Sequence, residues 1–323
     1  MKKHRPLGKF SPYLFQVEPV GGCNLKCYHC PAATQDKSAR ERFIDNETWA
    51  NAMRVVKGVM PQTRVEIAMS GEPTLHPEIL NLIWMARKIT PQSQFNMITN
   101  GTQLISGRLT YCELFKAGMN VIYVDMYAPR EKHIELAEAS GYKYVELVQS
   151  PATMPEGSPS PWTYYGPDTK FIALALPPEH WPDSARTRHR LGTWMGNLDW
   201  DRASKHGLTK LKEPMKRRCN QPFKHVATKF DGEYVLCCVD FLGETKGMYG
   251  NVNDGIAGFK EFWFGAAMQG CRSSLRAGDR AAIKQCAKCD IVFGRADIVW
   301  PESAMDKVWD GKAWQDRKPK VGL

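Results

Sequence analysis

Nowhere in the 323 residues do eighteen apolar side chains run together, and the basic N-terminus is followed by no apolar signal core. Neither a helical membrane anchor nor a secretory route is expected, and the expected location is cytoplasmic. No segment recurs at the period of a stacked solenoid, which excludes a repeat array. Long runs of one charge are also missing. The formal charge is +10, yet the densest basic runs, Lys2-Lys3-His4-Arg5 and Lys216-Arg217-Arg218, are short. A solvated basic face accounts for this, with a nucleic-acid groove as the alternative. The chain does have the means to bury a core, with 43% hydrophobic residues, and its length allows one large domain plus a small one. It is also rich in thiols. Ten cysteines without a secretory signal argue for metal ligation over a disulfide framework.

Three thiols stand at positions 1, 5 and 8 of a loop entered by Gly21-Gly22 and closed by Pro31, namely Cys23, Cys27 and Cys30. Three ligands leave one corner of a four-iron cubane open to a further molecule. A zinc knuckle, or three unpaired buried thiols, is the alternative at this point. A second set begins at Cys219 and continues through Cys237-Cys238 to Cys286 and Cys289. Between its first two members Asp231-Gly232 separates two strand patterns, 224–230 and 233–236, a strong hairpin signal. Four thiols with a hairpin also describe a zinc ribbon.

The intervening chain alternates strand and helix patterns. Strands are expected over 13–18, 65–69, 95–99, 120–127, 144–148 and 171–176. Helices are expected from an N-cap at Asn46, over 78–88, over 109–116 with Gly118 as the stop, and over 131–139. Cys112, inside the third of these, reads as a buried core residue. Such an order gives a parallel sheet with outer helices and active groups at its C-terminal edge. Residues 151–167 are rich in Pro, Ser and Gly, a candidate lid. The basic and aromatic stretch Arg186-Thr187-Arg188-His189-Arg190 with Trp194-Met195-Gly196-Asn197 either contacts a ligand or crosses the surface. Trp300, Trp309 and Trp314 read as anchors of a C-terminal tail.

The first cysteine loop resembles the C-x3-C-x2-C signature of the radical S-adenosylmethionine (radical SAM) superfamily. Ser70-Gly71-Glu72-Pro73, one strand-helix unit later, resembles that family's Gly-Gly-Glu motif with Ser70 at the first glycine. The second set, C-x12-G-x4-C followed by C-x2-C, looks like the shortened SPASM module called a twitch domain. The resemblance implies an α/β fold, a partial (β/α)6 TIM-type barrel over 1–205 with a small iron-sulfur domain over 206–323. It implies two 4Fe-4S clusters, one on Cys23, Cys27 and Cys30, the other on Cys219, Cys237, Cys286 and Cys289, with Cys238 a packed neighbour. For SAM it implies Gly71, Glu72 and Pro73 at the methionine end, His29 against the adenosine and Asp125 on the ribose. Asn100 is either a further cofactor contact or an ordinary turn residue, and Cys271 either a bland thiol or a hydrogen-atom donor.

The implied reaction is reductive cleavage of SAM to a 5'-deoxyadenosyl radical that takes hydrogen from a substrate C–H bond, with an electron donor such as flavodoxin or ferredoxin. A second cluster able to accept an electron points to oxidation. No recognisable peptide-binding winged-helix extension precedes the first strand, which points to a small polar substrate. Peptide or protein crosslinking is the alternative, and a non-catalytic iron-sulfur or zinc protein that binds nucleic acid is the third reading. Neither a membrane nor a nucleic acid is the expected partner.

Overall fold

The computed structural model describes residues 12–127, 129–147, 164–176 and 194–291, with the backbone of 307–309 and 314–316. Its centre is one eight-stranded sheet made of β1 (Leu14–Val17), β2 (Arg64–Ile67), β3 (Gln94–Thr99), β4 (Val121–Asp125), β5 (Tyr144–Leu147), β6 (Phe171–Ala175), β7 (His225–Thr228) and β8 (Tyr234–Val235). The spatial order is β5-β6-β4-β3-β2-β1-β7-β8, and only the β7–β8 pair is antiparallel. This is the mostly parallel sheet of a partial TIM-type barrel. Two further short strands, β9 (Lys307–Trp309) and β10 (Trp314–Asp316), pair antiparallel with each other. No helix among the described residues is long and apolar enough to cross a membrane.

Alternation along the strands sorts the side chains into two faces. Phe15, Val17, Val65, Ile67, Phe95, Met97, Ile122, Val124, Ile172 and Leu174 join the main core beneath the helices. That outer layer contains α1 (Asn46–Val59), α2 (Ile79–Ile89), the short α3 (Thr102–Ile105), α4 (Tyr111–Ala117) and α5 (Arg130–Ala139). Trp49, Met53 and Val56 recur at helical spacing on α1 and are fully buried, and the Trp49 ring nitrogen donates to the Leu82 carbonyl at 2.8 Å. The opposite face is polar on β1 to β3 and apolar on β4 and β6, where Val121, Phe171, Ala173 and Ala175 cluster. In register across β1, β2 and β3 stand Gln16, Glu66 and Asn96, with Arg64 and Gln94 one layer nearer the strand starts. Gln16 Nε2 donates to Glu66 Oε1 at 2.8 Å, and the Arg64 guanidinium lies 3.3 Å from the other oxygen. Burial pushes the Glu66 carboxyl upward, opposed by Arg64.

The sheet departs from simple chain order in two places. β6 lies between β4 and β5, so the fifth strand is at the edge. Composition explains the exchange: Phe171-Ile172-Ala173-Leu174-Ala175 is buried throughout and needs a neighbour on each side, whereas Glu146 of β5 is exposed and pairs with Arg130 at 2.8 Å. At the other end β7, from the second cysteine segment, pairs in parallel with β1. One sheet thereby carries both cysteine segments.

Local details also differ from the pattern reading. The α1 N-cap is Asp45, whose carboxylate accepts from the Thr48 N–H at 2.8 Å, so Asn46 is already inside the helix. The helix expected from 109 begins at Tyr111, because Thr110 and Glu113 form a capping box. Cys112 is half-buried, its thiol 3.9 Å from the Ser140 carbonyl, and not a core residue. The hairpin at Asp231-Gly232 forms as expected, with Gly232 at φ +80°. Beyond it are three helices that the pattern reading omitted, α6 (Trp200–Ala203) apart: α7 (Gly255–Phe264), α8 (Ala266–Ala277) and α9 (Lys284–Ala287). The proposed lid falls largely outside the described residues, and Arg186 to Arg190 and Trp300 fall wholly outside them.

Candidate active site at the strand ends

β1 leads through Glu18 into the first cysteine loop, which hydrogen bonds to its backbone groups hold in place. Gly21 N–H donates to the Arg42 carbonyl at 2.8 Å, Arg40 Nε to the Cys23 carbonyl at 2.9 Å, and Arg202 to the Lys26 carbonyl at 2.8 Å. Cys30 caps the short 3-10 turn Pro31–Thr34, and its N–H donates to the Cys27 carbonyl at 3.2 Å. The three thiols lie within electrostatic reach of one another. Burial pushes Cys23 up to about 12, helped by the Glu72 carboxylate, and burial pushes Cys30 up to about 12 as well. Thiolates are stable in such a place only beside cationic metal.

The Gly71-Glu72 turn at the end of β2 packs directly on this loop. A Cβ on Gly71 would stand 1.7 Å from the Val20 carbonyl oxygen, so no other residue fits without moving the backbone. Glu72 N–H donates to the Gly22 carbonyl at 2.9 Å. The Glu72 carboxylate is buried, and its Oε1 accepts from Thr74 N–H (3.0 Å), the Thr74 hydroxyl (2.5 Å) and the Thr99 hydroxyl (2.6 Å). Oε2 accepts from Asn100 N–H at 2.8 Å, and a carboxylate oxygen has room for a second donor. Burial raises the Glu72 pKa against these bonds. Pro73 starts the 3-10 turn Pro73–Leu75.

Asn100 serves the cysteine loop. Its amide nitrogen reaches Cys23 Sγ at 3.5 Å and Asn24 Oδ1 at 2.9 Å, while its oxygen accepts from the Thr102 N–H and hydroxyl. Asp125, at the end of β4, stands within electrostatic reach of Cys30. His29 is buried, its Nδ1 has no hydrogen-bond partner, and burial followed by the nearby His206 lowers its pKa to about 4. A neutral ring results. The Tyr28 ring stands edge-on to it at 5.0 Å and stacks on His206 at 3.9 Å.

Cys219, Cys237, Cys286 and Cys289 line one cavity together with Met195, Leu236, Leu275 and Arg280. Burial lifts Cys237 well above the ordinary thiol range, Cys286 to about 12, and Cys289 as well. Arg280 is fully buried and donates to the carbonyls of Arg217 (3.0 Å), Cys289 (2.9 Å) and Ile291 (3.1 Å), fixing a positive charge beside the thiols. Cys238 does not line this cavity; it packs between the Met195, Cys237 and Cys289 cluster and Met69, Ala227 and Val235, within electrostatic reach of Glu66. Cys271 is on α8, its sulfur 3.3 Å from the Tyr249 hydroxyl. Among the described residues no group of three or more His, Cys, Asp or Glu side chains is gathered to hold a single metal ion. Thiols spread around a cavity suit a cubane, which takes each at a separate corner.

The pattern reading left Trp194 and Met195 undecided, and they join the two thiol sets. Both have left-handed backbone (φ 47° and 60°), an unfavourable state for residues with side chains. Trp194 Nε1 donates to the His29 carbonyl at 2.7 Å, and its ring stacks on Phe241 at 4.4 Å. Met195 lines the second cavity. Arg280 was not singled out either, since a lone Arg in a basic chain carries no signal.

Comparison with known proteins agrees with this layout. The model of the radical SAM superfamily matches residues 17–150, and that of the SPASM iron-sulfur cluster-binding domain matches 219–290. The fold and site thus define a radical SAM enzyme with a C-terminal SPASM domain. No curated protein matches the chain. Among solved structures, BtrN in complex with AdoMet and 2-DOIA is 18% identical, with a TM-score of 0.62 over 92% of this chain and 98% of that one. An open conformation of BtrN aligns over 87% and 93% of the two chains at 18% identity and a TM-score of 0.54. Streptococcus suis SuiB bound to S-adenosylmethionine gives 14% identity and a TM-score of 0.40, covering 82% of this chain and 68% of that one. The cofactors of this class are a four-iron cluster with SAM on the first domain and further iron-sulfur on the second.

If the Glu72 carboxylate receives the SAM ammonium, Glu72→Gln, which keeps an acceptor for its neighbours, is expected to weaken SAM binding by about 1.5 to 3 kcal/mol, the worth of a hydrogen bond to a charged group. Anaerobic equilibrium dialysis measures it, with iron content as the check that the clusters remain. Wild-type affinity in that variant would leave Glu72 as a turn-forming residue only.

Proposed function

We propose that this enzyme oxidises a small polar substrate by dehydrogenation. When bound, SAM and the first cluster supply the 5'-deoxyadenosyl radical that takes a hydrogen atom from a substrate C–H bond. In this reading Cys23, Cys27 and Cys30 hold the first cluster and Cys219, Cys237, Cys286 and Cys289 the second. Gly71 gives the close backbone approach and Glu72 the carboxylate for the methionine ammonium, with Pro73 fixing the turn. Asp125 takes the ribose and His29 the adenine edge, while Asn100 holds Cys23 in position. The first unit extends over 1–205 and the second over 206–323, and a flavodoxin or ferredoxin is the electron donor.

The observation that carries the oxidation reading is the short bridge between the thiol sets, from the His29 carbonyl through Trp194 to Met195 and the second cavity. A second redox centre linked to the first loop in this way is able to take an electron from a substrate radical. The polar part of the inner face on β1 to β3, with Gln16, Glu66 and Asn96 in register and Cys238 beside Glu66, suits a hydroxylated or amine-bearing molecule. The likeness to BtrN, whose structure holds 2-DOIA with AdoMet, supports the same choice.

The test uses aminocyclitol alcohols deuterated at the carbinol carbon, incubated anaerobically with SAM, reductant and enzyme. Deuterium in 5'-deoxyadenosine with a matching amount of ketone is the expected result. Deuterium transfer without any oxidised product, or transfer only from peptides, would contradict the proposal.

A further inference from the structure

A buried charge cluster, remote from any role assigned above, joins the SAM-facing turn to the loop after the second set's Cys237. Lys229, next after β7, is buried and its ammonium donates to Glu18 Oε1 (2.7 Å), the Ser70 hydroxyl (2.9 Å) and the Phe241 carbonyl (2.7 Å). All three of its donors are thereby used. Glu18 has no exposed surface and also accepts from Ser70 N–H at 3.1 Å, Phe230 N–H at 3.4 Å and the Ser70 hydroxyl. Ser70 immediately precedes Gly71, whose backbone presses on Val20, and Glu72 bonds to Gly22. The Phe241 end is equally fixed: Asp240 N–H donates to the Cys237 carbonyl at 3.1 Å, and the buried Asp240 carboxylate accepts from Glu244 N–H, Thr245 N–H and the Thr245 hydroxyl.

A buried ion pair contributes little net stability, because desolvation offsets its attraction. What it does contribute is geometry, since every partner must stay within bonding distance. We propose that Lys229, with Glu18 and Ser70, is a positioning bridge through which the state of the Cys237 loop sets the geometry of the Gly71-Glu72 turn, so that SAM binds more tightly when the second thiol set holds its cluster. This rests on the reading that Glu72 faces SAM. Ser70 thereby acquires a purpose: it stands where the motif it resembles has glycine, and its hydroxyl is the contact that glycine lacks. Linkage requires the effect to be mutual, with SAM in turn stabilising the second site.

The test is a cycle read by binding, not turnover. SAM affinity is measured anaerobically by equilibrium dialysis, alongside the change in the electron paramagnetic resonance spectrum on SAM addition. Cys219→Ala/Cys289→Ala is expected to weaken SAM binding about five-fold or more in the otherwise native protein. In a Glu18→Gln/Lys229→Met background, which removes both charges together, the same change is expected to cost less than about two-fold. Ser70→Gly keeps the ion pair and is expected to reduce the coupling too, so it decides the matter if the double background fails to fold. Equal weakening in every background, or none in the native one, would overturn the bridge. If Glu72→Gln binds SAM as the native protein does, the underlying reading falls and the bridge with it; if Glu72→Gln is weakened and the cycle shows no coupling, the bridge alone falls.

Discussion

Alanine at Cys23, Cys27 and Cys30 together is expected to abolish 5'-deoxyadenosine formation and to lower the iron of the reconstituted protein from about eight atoms per chain to about four, the content of one four-iron cluster. The loop keeps other supports after the change, since Gly21 N–H and the Arg40 and Arg202 side chains hold its ends and carbonyls, although the contacts of Leu25 N–H and Asn100 with the Cys23 sulfur are lost. The loss is therefore chemical. Anaerobic iron and sulfide analysis, with chromatography of the nucleoside product, checks both halves. Two moles of bound zinc without iron in the native protein would sink the assignment altogether.

Replacing Cys219 and Cys289 by Ala is expected to abolish substrate oxidation while SAM is still cleaved without product. The two thiols line the second cavity, and the first loop does not depend on them for any backbone bond. Removing the second set should thus leave radical generation possible and take away the electron's destination. 5'-Deoxyadenosine would then accumulate without ketone. A variant that folds, retains the first cluster alone and still makes product at the native rate would show the second cluster to be structural. SAM cleavage in this variant should also respond to the Lys229 bridge, because weaker SAM binding raises the concentration needed for half-maximal cleavage.

Periodicity carried much of this architecture. Each strand from β1 to β6 is within two or three residues of its expected place, because apolar runs ending in Gly, Pro or Asn are local signals. Both cysteine sets were legible for the same reason, as spacing survives in sequence. What stayed hidden was the long-range pairing. Nothing near residue 225 announces that β7 will add to β1, and the pairing of Lys229 with Glu18 spans most of the chain. The exchange of β5 and β6 was hidden by chain order, although the uninterrupted apolar run of 171–175 beside the charged Tyr144-Val145-Glu146 was a usable signal. Trp194 and Met195 were beyond pattern reading, since a left-handed backbone at non-glycine residues follows from tertiary contacts with His29 and Phe241. Conversely the Thr110–Glu113 capping box and the Ile256, Phe259 and Trp263 spacing of α7 were plainly present in the sequence.

The most direct measurement combines the two thiol sets in one experiment. Anaerobically reconstituted native protein, given reductant and SAM, is assayed for 5'-deoxyadenosine and methionine alongside its iron content. Equal amounts of the two products from protein with about eight irons per chain, two four-iron clusters, is the expected result. Fully loaded protein that binds SAM and yields neither product would contradict the account.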